Sequence, residues 1–194
     1  MTKTEFLQRF QLQSLGQSIH QYRYHQTLKT AAVLIPIIEQ PSHNGLSQLN
    51  VLLTKRASHL THHGGQISFP GGKAETFDDN LTATAIRESE EEIGLKADNI
   101  DIVGQLHPYQ TISGYIVTPI VAFLKQPQTF SMDTNEVAEI FQVPLNHFLN
   151  HQNHYFVLMT YKNTQHRVHF MPYQQYNIWG ATAAMLKDLS LHLR

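Results

Sequence analysis

The stretch that decides the reading runs Phe69-Pro70-Gly71-Gly72, then Asp78, then Leu81-Thr82-Ala83-Thr84-Ala85-Ile86-Arg87-Glu88-Ser89-Glu90-Glu91-Glu92-Ile93-Gly94-Leu95. Leu81 to Ile93 reads as a helix. Thr82, Ile86, Ser89 and Ile93 fall on one side at helical spacing. Asp79 or Asn80 can cap its start and Gly94 can end it. Each helical residue turns by about 100°. Glu88, Glu91 and Glu92 therefore share one edge beside the apolar side, and Glu90 points away. Like charges at such spacings destabilise a bare helix, so a positive partner belongs there. Hard divalent cations such as Mg²⁺ or Mn²⁺ take oxygen ligands of this kind and keep waters for substrate phosphates. Arg87, four residues before Glu91, can hold a neighbouring carboxylate in place. An isolated glutamate run would read as a solvated acidic face. The preceding Gly71-Gly72 turn argues otherwise, because glycines let backbone N–H groups approach a ligand closely.

On either side of this stretch, apolar and polar segments alternate in short blocks. Ala31–Ile38 reads as a buried strand, Gln40–Gln48 as a turn, and Leu49–Lys55 as the returning strand. His62–Gly72 reads as a glycine-rich loop. Ile100–Leu106 and Tyr115–Leu124 are further strands, and Phe141–Leu145 a short one. Tyr155–Thr160 and Arg167–Phe170 form a hairpin, and Ile178–Leu193 a closing helix. Phe6–Tyr22 reads as an amphipathic helix. This order predicts an α/β fold with a mixed sheet sandwiched between helices. It also predicts one domain over 1–194, with a core of about 30–190 and an N-terminal helical extension of about 1–25.

Composition narrows the function classes. The net charge is −1, from 14 basic and 15 acidic residues, so no global basic field exists to hold a nucleic acid polymer. The chain has no cysteine, which excludes disulfides and thiolate chemistry. The first residues lack the pattern of a signal peptide, and no apolar stretch approaches membrane-spanning length. The expectation is a cytoplasmic protein with a small-molecule substrate and no membrane partner.

Gly72, Asp78, Arg87-Glu88, Glu91-Glu92, Gly94 and Leu95 resemble the Nudix box: a glycine, a later acidic residue, R-E-x-x-E-E-x-G and an apolar residue. Asp78 stands where glutamate is usual, the gap from Asp78 to Arg87 is one residue longer, and Ser89 replaces an apolar residue or alanine. Ahead of the box, Leu52-Leu53-Thr54-Lys55-Arg56-Ala57 and Gly65-Gln66 to Phe69-Pro70-Gly71-Gly72 resemble the signature of the coenzyme A diphosphatase branch. So do Ser113-Gly114-Tyr115, Asn135-Glu136-Val137, Phe141-Gln142-Val143-Pro144-Leu145 and Ile178-Trp179-Gly180-Ala181-Thr182-Ala183. The resemblance spans roughly residues 30 to 190. Thr61 departs from it, where the signature carries arginine.

The resemblance implies a Nudix fold and metal-dependent hydrolysis of the pyrophosphate linkage of coenzyme A or acyl-coenzyme A, yielding 3′,5′-ADP and 4′-phosphopantetheine or its acylated form. Glu88, Glu91 and Glu92 would be the metal ligands, for Mg²⁺ or Mn²⁺. Glu88 or a late-loop acid such as Glu136 would take a proton, with Asp133 and Glu139 as neighbouring rivals. Arg87 would serve the catalytic centre, and Arg56, Lys55, Gly71 and Gly72 would bind substrate. Lysine and arginine at a strand end are otherwise commonly solvated. His59, His62 and His63 suggest a transition-metal set, but the chain has 13 histidines, many with no site, and that reading is set aside. Trp179 reads as a packing residue. Two rival functions stand beside this one: another nucleoside diphosphate derivative as substrate (NADH, ADP-ribose or a nucleoside triphosphate), and a non-catalytic nucleotide-binding module. Modules of the second kind tend to lose the box glutamates.

Overall fold

The computed structural model describes residues 1–13, 27–41, 47–125, 129–161 and 164–194. Its elements in chain order are α1 (Lys3–Leu12), β1 (Lys29–Pro41), β2 (Ser47–Arg56), β3 (Ile67–Ser68), β4 (Gly71–Lys73), α2 (Leu81–Ile93), β5 (Ile100–Gln105), β6 (Tyr109–Gln110), β7 (Tyr115–Leu124), β8 (Val137–Pro144), α3 (Leu145–Leu149), β9 (Tyr155–Tyr161), β10 (Thr164–Phe170) and α4 (Gly180–His192).

The main sheet runs β3-β2-β1-β7-β5, with β4 also on β1, β6 on β7 and β8 on β2. β1 and β7 pair in parallel from Lys29–Tyr115 to Ile37–Phe123, and the other pairings are antiparallel. The sheet is therefore mixed. Its central strands are apolar on both sides because both faces are covered. Along β1, Ile35 and Ile37 enter one core, and Leu34 and Ile38 the other. The first core takes Phe6 and Phe10 of α1, Phe148 of α3, and Ala183, Leu186 and Leu189 of α4. The second takes Ala85 and Ile93 of α2. The expected layering of helix, sheet and helix is present.

Several expectations need correction. The glycine-rich loop is interrupted by β3 and β4, because Ile67 and Ser68 pair with Lys55 and Thr54. The expected Phe141–Leu145 strand runs Val137–Pro144 and pairs with β2 from Asn50 to Arg56. Its first half has only Val137 buried, with Ala138, Glu139 and Ile140 more open, so it lacks the apolar run of a buried strand. The turn expected at Gln40–Gln48 is shorter, since Gln40, Pro41, Ser47 and Gln48 pair in strands; residues 42–46 lie outside the described residues. The closing helix starts at Gly180, because Trp179 is extended and bridges to Phe170. On α2 the buried positions are Thr84, Ala85, Ser89, Glu92 and Ile93, while Thr82 and Ile86 are only half-buried.

The N-terminal helix spans Lys3–Leu12 and ends at the extended Gln13, and residues 14–22 of its expected range lie outside the described residues. It packs into the core: Phe6 is fully buried with its ring edge-on to Phe123, and Arg9 Nη1 donates to the Leu193 carbonyl at 2.9 Å. No helix among the described residues is long and apolar enough to cross a membrane.

Candidate active site

The site is built by one helix and the turn before it. Asn80 Oδ1 accepts the Ala83 N–H at 3.0 Å and opens α2. Gly94 ends it at φ 69°, with the Leu95 N–H returning to the Ser89 carbonyl at 3.2 Å. Gly71 has φ 151°, and a Cβ there would lie 2.4 Å from the Ala32 carbonyl oxygen. A Cβ on Gly72 would lie 2.4 Å from the Glu88 carboxylate. Gly71 therefore requires glycine, and a side chain at Gly72 would displace the Glu88 carboxylate; together they bring β4 against the carboxylates of α2.

Arg87 organises the exposed side of this centre. Its Nε and Nη2 donate to the two oxygens of Asp78 at 2.9 and 3.0 Å, and its Nη1 donates to Glu88 at 2.8 Å and to Glu91 at 3.0 Å. Asp78 also accepts from the Glu75 N–H and the Thr84 hydroxyl, each at 2.9 Å. The Arg87 guanidinium, with these hydrogen bonds, holds the Asp78 carboxyl far below the usual carboxylate range. Asp78 thus clamps the arginine, and through it the loop from Lys73 onward, whose carbonyl also accepts from Arg87 at 3.1 Å.

Glu92 forms the inner side. Its side chain is 3% exposed, and burial pushes its carboxyl up to about 8. The opposing influences are Arg56, whose Nη1 lies 3.5 Å from Oε1, and the Gly71 N–H, which donates to Oε2 at 3.2 Å. Burial likewise pushes Glu88 up, against the pull of Arg87. The charge of Glu136 raises both Glu88 and Glu92, so this loop acid faces the centre. Its loop is tied to the end of α2, where the Asp133 N–H donates to the Glu92 carbonyl at 3.0 Å. The rivals are engaged elsewhere. Asp133 Oδ1 accepts from the backbone and side chain of Asn135, and Glu139 accepts from the Tyr176 hydroxyl at 2.5 Å.

Among the described residues, no three His, Asp or Glu side chains meet as a preformed metal cage. Glu88, Glu91 and Glu92 do lie along one edge, but Arg87 stands between Glu88 and Glu91, and Glu92 is held by Gly71 and Arg56. The donor chemistry nevertheless suits a divalent cation. The groups are all carboxylate oxygens, two of them are raised by burial, and their mutual repulsion favours a cation there.

Beside the carboxylates lies a cavity of about 610 Å³. Arg56 belongs to both, lining the cavity and reaching Glu92. Its lining includes Phe69 and Val33, Tyr109 with Thr111 to Ser113, and Trp179 to Thr182 with Met185. Tyr161, Arg167 and Val168 of the hairpin line it as well. His62 and His63 line this cavity without forming a metal group, while Lys55 and Thr61 are not among the residues that line it. Trp179, read from the sequence as a packing residue, does pack and also borders the cavity. It is 37% exposed, stacks on Phe170 at 6.1 Å and faces the cavity. The available signal was its place beside Gly180 in the Ile178–Ala183 block.

The profile of the NUDIX domain matches residues 28–161, more than half of the chain. The chain is 39% identical to the "Uncharacterized Nudix hydrolase NudL" of Yersinia enterocolitica over 97% of this chain and 92% of that one. It is 38% identical to the protein of the same description from Photorhabdus laumondii, over 96% and 95%. The crystal structure of a MutT/nudix family protein from Enterococcus faecalis superposes with a TM-score of 0.50 at 14% identity, covering 92% of this chain and 63% of that one; this likeness concerns the fold. Helix α2 with its glycine turn, the matching profile and these relatives agree, and the chain belongs to the Nudix hydrolase family.

Proposed function

We propose that this chain hydrolyses the pyrophosphate linkage of coenzyme A or acyl-coenzyme A, releasing 3′,5′-ADP and 4′-phosphopantetheine or its acylated form. The observation that carries the reading is Arg56. It belongs to the segment that resembles the coenzyme A branch signature, and it joins the carboxylate centre to a cavity large enough for an extended ligand. Glu88, Glu91 and Glu92 would hold Mg²⁺ or Mn²⁺, which supplies charge neutralisation at the phosphates and a more acidic water.

The chain's own groups do the rest. Arg87 fixes Glu88 and Glu91 relative to each other, and Asp78 fixes Arg87. Water adds to phosphorus as the anhydride P–O bond breaks, and its proton passes to Glu88 or Glu136, the carboxylates poised as general base. Arg56 offsets charge on a substrate phosphate, and Gly71 and Gly72 let that phosphate approach the backbone. Lys55 is the second candidate cation, with weaker support because it does not line the cavity.

The test is product analysis across coenzyme A, acyl-coenzyme A, dephospho-coenzyme A, NADH, ADP-ribose and nucleoside triphosphates, with and without chelator. Coenzyme A or its acyl form should give the highest kcat/KM, and the chelator should abolish turnover until Mg²⁺ or Mn²⁺ is restored. Thr61, in place of the signature arginine, favours the second reading, hydrolysis of another nucleoside diphosphate derivative. Preference for NADH or ADP-ribose would establish that one.

A further inference from the structure

Trp179 is the one tryptophan of the chain, and its surroundings suit a ligand. Its backbone is fixed on both sides: it bridges to Phe170 and stands as the N-cap of α4, ahead of Gly180 at φ 66°. Its ring lies 6.1 Å from that of Phe170, with 14° between the two planes. Phe170 is outside the cavity lining and Trp179 is within it, so the indole stands between Phe170 and the cavity. The residue remains 37% exposed. A large ring held by its backbone, backed by a second ring and open toward a cavity is a stacking plane. Aromatic groups prefer such offset parallel contact, and every nucleobase has a π-face to offer. Phe69, Tyr109 and Tyr161 add three further rings to the same cavity.

The rest of the lining distinguishes the two halves of the substrate. Its charged residues are Arg56 and Arg167, and no aspartate or glutamate lines it. Of the two halves of coenzyme A, the nucleotide half has the flat ring system and the additional phosphate. The pantetheine half is a flexible chain with no charge beyond the phosphate of the linkage itself. Gln66, Thr111 and Ser113 supply carboxamide and hydroxyl groups of the kind that base and ribose edges need. Arg56 gives the direction, because it lines the cavity and also reaches Glu92 at 3.5 Å. We infer that the cavity is the nucleoside seat: the base stacks on Trp179, Arg56 lies at the pyrophosphate, and the other half of the substrate runs past the α2 carboxylates away from the cavity. This rests on the reading of a nucleoside diphosphate derivative as substrate, and it adds which half enters the cavity.

Trp179 reports on its own seat, since no other tryptophan contributes to the emission. The probes are 3′,5′-ADP, AMP, ribose 5-phosphate and 4′-phosphopantetheine, added to the whole chain with Mg²⁺, with free tryptophan as the optical control. 3′,5′-ADP and AMP should quench the indole emission to a plateau, as a stacked base does. Ribose 5-phosphate and 4′-phosphopantetheine should leave it unchanged. In calorimetry, Trp179→Leu, apolar but without a ring, should weaken AMP binding about twofold to twelvefold. Trp179→Phe, which keeps an aromatic plane, should stay within about twofold of wild type. The inference is overturned if 4′-phosphopantetheine shifts the emission and the nucleotides do not, if neither nucleotide binds, if they bind in calorimetry without quenching, or if Trp179→Leu binds AMP as wild type does. Cleavage of coenzyme A without quenching by 3′,5′-ADP overturns the seat and spares the proposed reaction. Quenching in a protein that leaves coenzyme A intact keeps the seat and refutes that reaction.

Discussion

The carboxylate helix and the cavity beside it are built in opposite ways. On α2 almost every polar group near the centre has a named partner. Asp78, Arg87, Glu88 and Glu91 form one connected set, Glu92 is held by Gly71 and Arg56, and the whole assembly comes from residues 56–95. The cavity is walled by apolar and aromatic side chains interspersed with polar ones, Arg56 and Arg167 among them, from five separate parts of the chain: Val33, 56–69, 109–117, 161–168 and 179–185. The first region has the fixed charges that bond-breaking needs. The second has the shape and aromatic surface that recognition needs. The difference predicts a division of labour, in which changes on α2 should act on kcat and changes in the cavity on KM.

The largest expected effect breaks the comparison at its strongest point. Glu88→Gln should lower kcat by roughly a hundredfold to ten-thousandfold with little change in KM, as loss of an acid–base or ligating group does. Glu90→Gln, on the exposed opposite side of the same helix, should stay within about twofold of wild type. Equal losses in the two variants, measured by steady-state kinetics, would dissolve the distinction between the two sides of α2.

One step smaller is the clamp. Asp78→Asn keeps the side-chain shape but removes the charge that grips Arg87 through two hydrogen bonds. Partners that orient ligating side chains typically matter by about 10- to 100-fold in activity or metal affinity. The variant should show that loss together with a raised Mg²⁺ requirement. A normal metal titration would restrict Asp78 to holding the loop.

These two regions were not equally legible in the sequence. Residues 69–95 could be read almost completely, since the chemistry lies on one helix and one turn and helical spacing alone assigns its edge. The limits of α2, its Asn80 cap and its Gly94 end stand as read. The Asp78 clamp was not legible, because Arg87 lies nine residues on and the loop between them folds back unpredictably. The place of Trp179 beside the cavity was not legible for a similar reason: Phe170, on which it stacks, and the cavity walls lie far from it in the chain. Glu136 could not be separated from Asp133 and Glu139 by spacing. In the structure Asp133 accepts from Asn135 and Glu139 from Tyr176, contacts that no spacing in the sequence announced.

The cavity itself gives a moderate effect. Trp179→Ala should raise KM about twofold to twelvefold, the equivalent of 0.5–1.5 kcal/mol of aromatic contact, and leave kcat near wild type. A fall in kcat alone would place Trp179 with the reacting groups and blur the division.

The smallest effect lies behind the cavity on α4. Burial pushes the Asp188 carboxyl up to about 7 from an ordinary value of 3.8. The folded state therefore binds this proton more tightly than the unfolded chain, and stability falls as pH rises from about 4 to about 7. Asp188→Asn should raise the Tm at pH 8 by a few degrees, at roughly 2–4 °C per kcal/mol, and change it little at pH 4. An equal shift at both pH values would show that ionisation is not the cause.

The central claim is that the carboxylates of α2 direct water onto a pyrophosphate phosphorus. The most direct measurement is mass spectrometry of the products formed from coenzyme A and Mg²⁺ in ¹⁸O-labelled water. The predicted result is 3′,5′-ADP and 4′-phosphopantetheine in equal amounts, with one ¹⁸O atom per cleavage carried in a product phosphate, and neither product from Glu88→Gln on the same timescale. Intact coenzyme A, or release of inorganic phosphate with dephospho-coenzyme A as co-product, would contradict it.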